Sequence, residues 1–460
     1  MAAPSGTDDS PASVPTPHSQ SRIPSGTKRH AAGFSPVGPA RAVVSDSAPT
    51  PPASPGTRPR GARPSAPDAA PAPTRGPTIL RMRRGRAPRV ALDCRGLHWL
   101  GIGRYCRELA AMLPRVAPDL DFLWIASPEG AALLPDPATP GARARVRARV
   151  VHSRPLSVAE QVEVPLALAR ERVDLFHAPN SYTHPLLAGR LVVTVHDLTL
   201  LRFRENLPNP VGRAYHDFMT GVAVRRAARI LTVSHFTAAD VAASYRGVAE
   251  RLRPVWNGIA SSFRPVRERA VLERVRSAYG LPESFVLYLG SCKPHKNLPR
   301  LLEAYGDLPP ALRRAHPLVM VARPDPRYPK IEAAVRRLGA EGVWRPAIAE
   351  ADLAAVYSLA RVLAMPSLHE GFGFPLVEAM ACGTPVLASR AASLPEIGGE
   401  ACAYVDPLDV SAIRSELERL LDDTGWHEEL SRRGLERSRL FSWETTARRV
   451  ADVYREALES

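Results

Sequence analysis

From residue 88 onward, short apolar runs alternate with stretches of helical periodicity, and few architectures satisfy that pattern. The runs are Val90 to Leu92, Phe122 to Ala126, Leu175 to His177, Val192 to Val195 and Ile230 to Val233, followed by Phe285 to Leu289, Leu318 to Val321, Val362 to Met365 and Val386 to Ala388. Strands that alternate with helices make parallel sheets covered by helices. The spacing predicts an α/β fold of two doubly wound units. Trp256-Asn-Gly-Ile closes the first, and the charged stretch Arg264 to Tyr279 leads into the second.

The most informative stretch runs Pro366-Ser-Leu-His-Glu370-Gly-Phe-Gly-Phe-Pro-Leu-Val-Glu378-Ala-Met-Ala-Cys-Gly-Thr-Pro-Val-Leu-Ala388. It reads as the end of a strand, a loop from Pro366 to Pro375, a helix starting at Leu376, and a new strand. Ligands of open α/β sheets gather at the carboxyl ends of strands, where this loop sits. Glu370 falls at its tip and Glu378 in the first turns of the helix, so both can face one ligand. Gly371 and Gly373 allow close backbone approach, and the amides from Gly371 through Phe372 and Gly373 to Phe374 precede a helix N-terminus that favours anions. Two carboxylates beside a phosphate site suit a ligand with a ribose, a diphosphate and a sugar. The plainer reading, a solvated loop Glu370 and a Glu378 favoured by the helix dipole, does not account for the surrounding string.

Glu370, the seven residues between, and Glu378 resemble the E-x7-E motif of retaining glycosyltransferases of family 4. The similarity continues into Ser393-Leu-Pro-Glu396-Ile-Gly-Gly and, upstream, Ala351-Asp-Leu-Ala-Ala-Val-Tyr357. It implies the GT-B architecture, two Rossmann-like domains facing across a cleft. The expected division is a disordered Pro/Arg-rich extension over 1–87, an acceptor domain over 88–263 and a nucleotide-sugar domain over 264–442. A helix over 443–460, opened by Phe441-Ser-Trp443-Glu444, would return to the first domain.

Three further segments gain meaning from this resemblance. Asp93-Cys-Arg-Gly-Leu-His-Trp-Leu-Gly101-Ile-Gly103-Arg104-Tyr105 lacks the third glycine of a dinucleotide fingerprint. By resemblance, Gly101 and Gly103 form a cleft loop near the diphosphate and Arg104 and Tyr105 begin the helix; a structural tight turn is the alternative. His196-Asp197-Leu198 follows a strand, and the resemblance makes His196 the residue that packs against the donor sugar. Asp197 would fix its tautomer or cap the turn. In Gly290-Ser291-Cys-Lys293-Pro-His295-Lys296-Asn297, a strand, a glycine and a lysine suit phosphate. The family commonly shows Arg-Lys-Asn there; Lys296 carries over, His295 replaces a cation, and Lys293 is placed to compensate. Arg323 is a further source of phosphate-neutralising charge.

The expected catalytic residues are therefore His196, Glu370 and Lys296. Donor-binding residues are Gly101, Gly103, Gly290, Ser291, Lys296, Gly371, Phe372, Gly373, Phe374 and Glu378. No metal or other cofactor is expected; Asp119-Leu-Asp121 matches a metal-binding D-x-D only by chance, without supporting context.

Charge raises the possibility of nucleic acid, since the net value is +15, but residues 1–87 carry 12 Arg or Lys against 4 Asp or Glu. They also hold 17 of the 47 prolines and one aromatic residue, Phe34. Such a segment has little to bury; it reads as an inert proline-rich extension or, through its basic end Arg81-Met-Arg-Arg-Gly-Arg86, as a peripheral contact with an anionic membrane rather than nucleic acid. Met82 offers an alternative translation start. Five scattered cysteines form no C-x-x-C pair, and no long apolar run or signal core appears, so a cytoplasmic protein is expected. The resemblance favours GDP-mannose as donor and a lipid-linked or growing saccharide as acceptor. The alternatives are transfer to a soluble sugar, as in sucrose or trehalose synthesis, and a non-catalytic basic binding protein.

Overall fold

The structure, a computed structural model, describes residues 86–135, 145–153, 155, 157–181, 190–207 and 209–460; the expected extension lies outside them apart from Arg86 and Ala87. Seven strands form the first sheet: β1 Arg89–Asp93, β2 Asp121–Ala126, β3 Val146–Val150, β4 Leu175–Ala178, β5 Arg190–Val195, β6 Arg229–Thr232 and β7 Leu252–Pro254. Six form the second: β8 Val286–Leu289, β9 Leu318–Val321, β10 Gly342–Arg345, β11 Val362–Met365, β12 Val386–Ser389 and β13 Ala403–Val405. Their orders are β3-β2-β1-β4-β5-β6-β7 and β10-β9-β8-β11-β12-β13, every pairing parallel. Helices covering both sheets complete the expected α/β, GT-B-type architecture.

The nine strands predicted from apolar runs are the nine interior strands. The four not predicted, β3, β7, β10 and β13, are the four sheet edges. An edge strand needs no two-sided apolar run: β3 is Val-Arg-Ala-Arg-Val and largely exposed, and β7 is Leu-Arg-Pro. Arginine and proline there also discourage pairing with another chain.

Interior strands bury both faces. In β1, Val90 and Leu92 join one apolar cluster and Ala91 the other; in β8, Val286 and Tyr288 face one side and Leu287 the opposite one. The helices that shape the site are α1 Leu100–Val116, α2 His235–Ser244, α3 Leu353–Leu359, α4 Phe374–Ala381, α5 Leu394–Gly398 and α6 Trp443–Glu459.

Helix α6 carries the end of the chain back to the first sheet. Val450, Tyr454 and Ala457 share a buried cluster with Leu109 and Leu113 of α1. The crossing is tight: a Cβ on Gly258 would lie 2.1 Å from the Trp443 nitrogen. At the far end the Tyr454 hydroxyl meets His177 Nδ1 at 2.6 Å, and His177 Nε2 meets Thr194 Oγ1 at 2.7 Å. Burial pushes His177 down to about 3, so it is neutral at physiological pH. Arg455 of the same helix grips both oxygens of Asp119, at 2.7 and 2.9 Å, while Asp121 lies 3.9 Å from Arg89. The D-x-D acids thus help fasten elements together. Among the described residues no helix is long and apolar enough to cross a membrane.

Candidate active site

Neighbouring side chains hold the loop after β11 in shape. The Asn297 amide donates to the carbonyls of Pro366 and Pro407 at 3.1 and 2.7 Å, and the Ser393 hydroxyl donates to the Glu370 carbonyl at 2.9 Å. Gly373 turns the chain into α4 at φ +90°, a left-handed conformation that glycine adopts without strain. The loop also reaches the first sheet. Ser234, which caps α2 by accepting from the Thr237 amide, donates its hydroxyl to the Gly371 carbonyl at 2.6 Å. Gly371 lies so close to the His196–Asp197 turn that a Cβ there would sit 1.8 Å from the His196 oxygen. The amides of Gly371, Phe372 and Gly373 have no acceptor among the described residues, although all three residues are buried. Buried donors left over in this way suit an oxyanion.

Lys296 and Glu370 meet beside these amides, Nζ donating to Oε1 at 2.5 Å. Lys293 is partly buried and its ammonium has no acceptor among the described residues. Burial lowers its pKa, with Arg327 and Lys296 adding to that effect and Asp197 and Asp325 opposing it. His295 supplies no cation. It is buried against Phe203, with ring centroids 5.7 Å apart, and burial reinforced by Lys296 holds it down at about 4. The Gly290 amide, expected among the loop donors, instead bonds the Val321 carbonyl at 3.0 Å, continuing the sheet. The neighbouring Ser291 carbonyl accepts from the Tyr288 hydroxyl at 2.6 Å. Arg323 is exposed.

Glu378 is 2% exposed and engages two partners. Arg104, from the first sheet's α1, pairs with Oε1, and Tyr357 of α3 donates to Oε2 at 2.7 Å. Burial raises the Glu378 pKa, and Arg104 and Tyr357 oppose that rise. The expected cleft loop at Gly101 and Gly103 is corrected here: α1 begins at Leu100, and Gly103 N donates to the Trp99 carbonyl at 2.7 Å, so both glycines belong to its first turn. Gly103 is needed for space, since a Cβ would lie 2.3 Å from the Leu97 oxygen. Gly101 faces the Phe374 ring at an ordinary 3.8 Å.

His196 is half-buried at the end of β5, its ring edge-on to Tyr105 at 5.0 Å between centroids. Its Nε2 lies 2.9 Å from the Pro179 carbonyl, which can only accept, so the proton sits on Nε2. Asp197 therefore does not set the tautomer. Its carboxylate accepts from the Thr199 amide at 2.7 Å and caps the turn.

Sequence reasoning missed the residues that join the two halves. Glu396 of α5 accepts from the amides of His235 and Phe236 at 2.8 and 2.9 Å and from Trp256 Nε1 at 2.6 Å. A carboxylate from one half thereby caps a helix of the other. Nothing local in the sequence pairs Glu396 with residues 140 or more positions earlier. Arg104 and Tyr357 lay inside quoted motifs, but their shared partner emerges only from the fold. Among the described residues, no cluster of three or more His, Cys, Asp or Glu side chains is placed to hold a metal ion.

Two parallel α/β sheets facing each other, with a carboxylate-bearing glycine loop of the second docked on a strand end of the first, define a GT-B-type glycosyltransferase scaffold. Residues 99–263 match the family described as Glycosyltransferase Family 4, and residues 273–437 the one described as Glycosyl transferases group 1. The chain belongs to this glycosyltransferase family. It is 33% identical to the O-antigen chain mannosyltransferase B of Escherichia coli, over 61% of this chain and 74% of that protein. It is 30% identical to the serotype-specific mannosyltransferase WbdA of Escherichia coli over 68% of this chain, spanning 40% of that longer protein. Sucrose-phosphate synthase from Thermosynechococcus elongatus shares the fold, with a TM-score of 0.64 over 80% of this chain and 98% of that one, at 23% identity.

Proposed function

We propose that the protein is a retaining, metal-independent glycosyltransferase that moves mannose from GDP-mannose to a lipid-linked or growing saccharide. The observation that carries this reading is the 2.5 Å contact between Lys296 and Glu370 beside the acceptor-less amides of Gly371 to Gly373. A leaving diphosphate gains negative charge as the glycosidic bond stretches, and fixed donors aimed at that charge lower the barrier. Lys296, Lys293 and the loop amides supply them. Glu370 holds donor-sugar hydroxyls, and Glu378 accepts from the ribose. His196 and the Gly371 loop close around the sugar, and the acceptor hydroxyl attacks from the face the leaving group departs, passing its proton to the phosphate.

Mannose is favoured because the relatives at 30% identity or above named here are mannosyltransferases. A lipid-linked acceptor, reached by a cytoplasmic enzyme touching the membrane surface, gains support from Val158, Val162 and Leu166. They are 87%, 60% and 48% exposed at helical spacing, on and just before the helix Glu160–Arg170. The test is incubation with GDP-mannose and membrane lipid extract, with the product read by NMR. An α-mannoside formed from the α-linked donor supports the reading. A β-mannoside contradicts retention, and transfer from UDP-sugars alone contradicts the donor.

A further inference from the structure

Arg104 stands on α1, under the first sheet's half of the cleft, yet its guanidinium reaches the second half. It pairs with Glu378 Oε1, lies 3.1 Å from Glu350 Oε1, and sits over the rings of Phe263 and Phe374 at 5.5 and 5.6 Å. Such contacts fix an arginine more firmly than a single ion pair would. Tyr357 takes the other Glu378 oxygen. A carboxylate offers two lone-pair sites on each oxygen, so one partner on each leaves one site on each. One acceptor site left on each oxygen matches, in number, the two neighbouring hydroxyls of a ribose.

We propose that Arg104 is a positioning residue for the nucleotide, orienting the buried Glu378 carboxylate so that its two remaining acceptor sites face a ribose 2′,3′-diol. The inference rests on Glu378 serving the ribose, and it adds that the first sheet's half of the molecule sets up a binding group of the second. Burial disfavours the Glu378 charge. The groups that face it are Arg104, Tyr357 and Glu350, with Cys382 one helical turn on and Glu108 and Arg107 beside Arg104. Of these, Arg104 is the cation in contact with the carboxylate. Without it, Glu378 takes up a proton more readily and its carboxyl group is no longer held in one orientation.

The test is calorimetric titration of GDP and of 2′,3′-dideoxy-GDP into the full chain, its Arg104→Met and Arg104→Lys variants, and Glu378→Gln, between pH 6.5 and 8.5. Wild type is expected to prefer GDP at every pH. Arg104→Met should lose most of that preference, more so at lower pH, because the buried carboxylate then lacks the guanidinium that opposes its protonation. Arg104→Lys should restore a large part of it, and Glu378→Gln should bind both nucleotides alike without pH dependence. Circular dichroism of each variant separates misfolding from altered binding, and the dideoxy ratio is internal to each protein. If wild type binds the two nucleotides equally, the ribose reading of Glu378 fails. If wild type discriminates and Arg104→Met does so equally at every pH, the role of Arg104 is overturned while the ribose reading stands.

Discussion

The backbone of Gly371 abuts the carbonyl of His196, two residues 175 positions apart, with no room for even a methyl group between them: a Cβ would lie 1.8 Å from the oxygen. Gly371→Ala must therefore push the loop off the first sheet and break the Ser234 contact. A stability loss on the order of 1–3 kcal/mol is expected, as for other overpacked sites, together with loss of donor binding. Gly101→Ala is the control. Its methyl would meet Phe374 at an ordinary 3.8 Å, so melting temperature and donor affinity should stay near wild type.

Lys296→Ala removes the positive partner of Glu370 and, in the proposed mechanism, the cation that faces the leaving diphosphate. The turnover number in a transfer assay is expected to fall about a hundredfold or more, the usual cost of removing one charge-stabilising donor. Glu370→Gln should lose transfer to a similar degree. Wild-type turnover in both would remove these residues from the chemistry.

In the proposed mechanism Lys293 supplies the charge that His295, standing where the resemblance leads one to expect Arg, does not. Lys293→Met should weaken GDP binding by roughly tenfold, the loss of one hydrogen bond to a charged group, and GMP binding by less. Asn in place of His295 should change GDP affinity little at pH 7, because His295 already carries no charge there. Titration calorimetry reads both.

Stability should fall on the acid side of neutrality. His177 and His295 are held neutral in the folded chain, at about 3 and about 4, against about 6.5 when unfolded. Below pH 6.5 the unfolded state binds more protons, so the stability present above that value is lost progressively as pH falls toward the folded values. Urea midpoints measured from pH 7.5 to 4.5 should decline, and His177→Gln should decline less steeply, from a lower starting point because two hydrogen bonds to Thr194 and Tyr454 are weakened.

The sequence announced the interior of both sheets because strands buried on two faces must be continuously apolar. It was silent on β3, β7 and β10 because an edge strand tolerates Arg, Pro and Gly, and on β13 because three residues, Ala-Tyr-Val, are too few to show a pattern. The wall built by Glu370, the Gly371 to Phe374 loop and Glu378 was legible as one contiguous string. What could not be read was who touches that string from afar. Arg104 holding Glu378, Ser234 holding Gly371 and Glu396 capping α2 depend on how two sheets are set against each other, and no local spacing encodes that. Gly103 shows the converse: a motif glycine whose role is space beside the Leu97 carbonyl within a helical turn.

Lys296, Glu370 and the adjoining loop are proposed to form the site for the diphosphate and sugar of a nucleotide donor. Calorimetric titration of GDP-mannose, GDP and GMP into wild type, Lys296→Ala and Glu370→Gln tests it directly. Wild type should bind one equivalent, with affinity falling from GDP-mannose to GDP to GMP. Glu370→Gln should lose the increment due to the sugar, and Lys296→Ala the increment due to the second phosphate. Equal binding of all three ligands by wild type, or unchanged increments in both variants, would contradict the account.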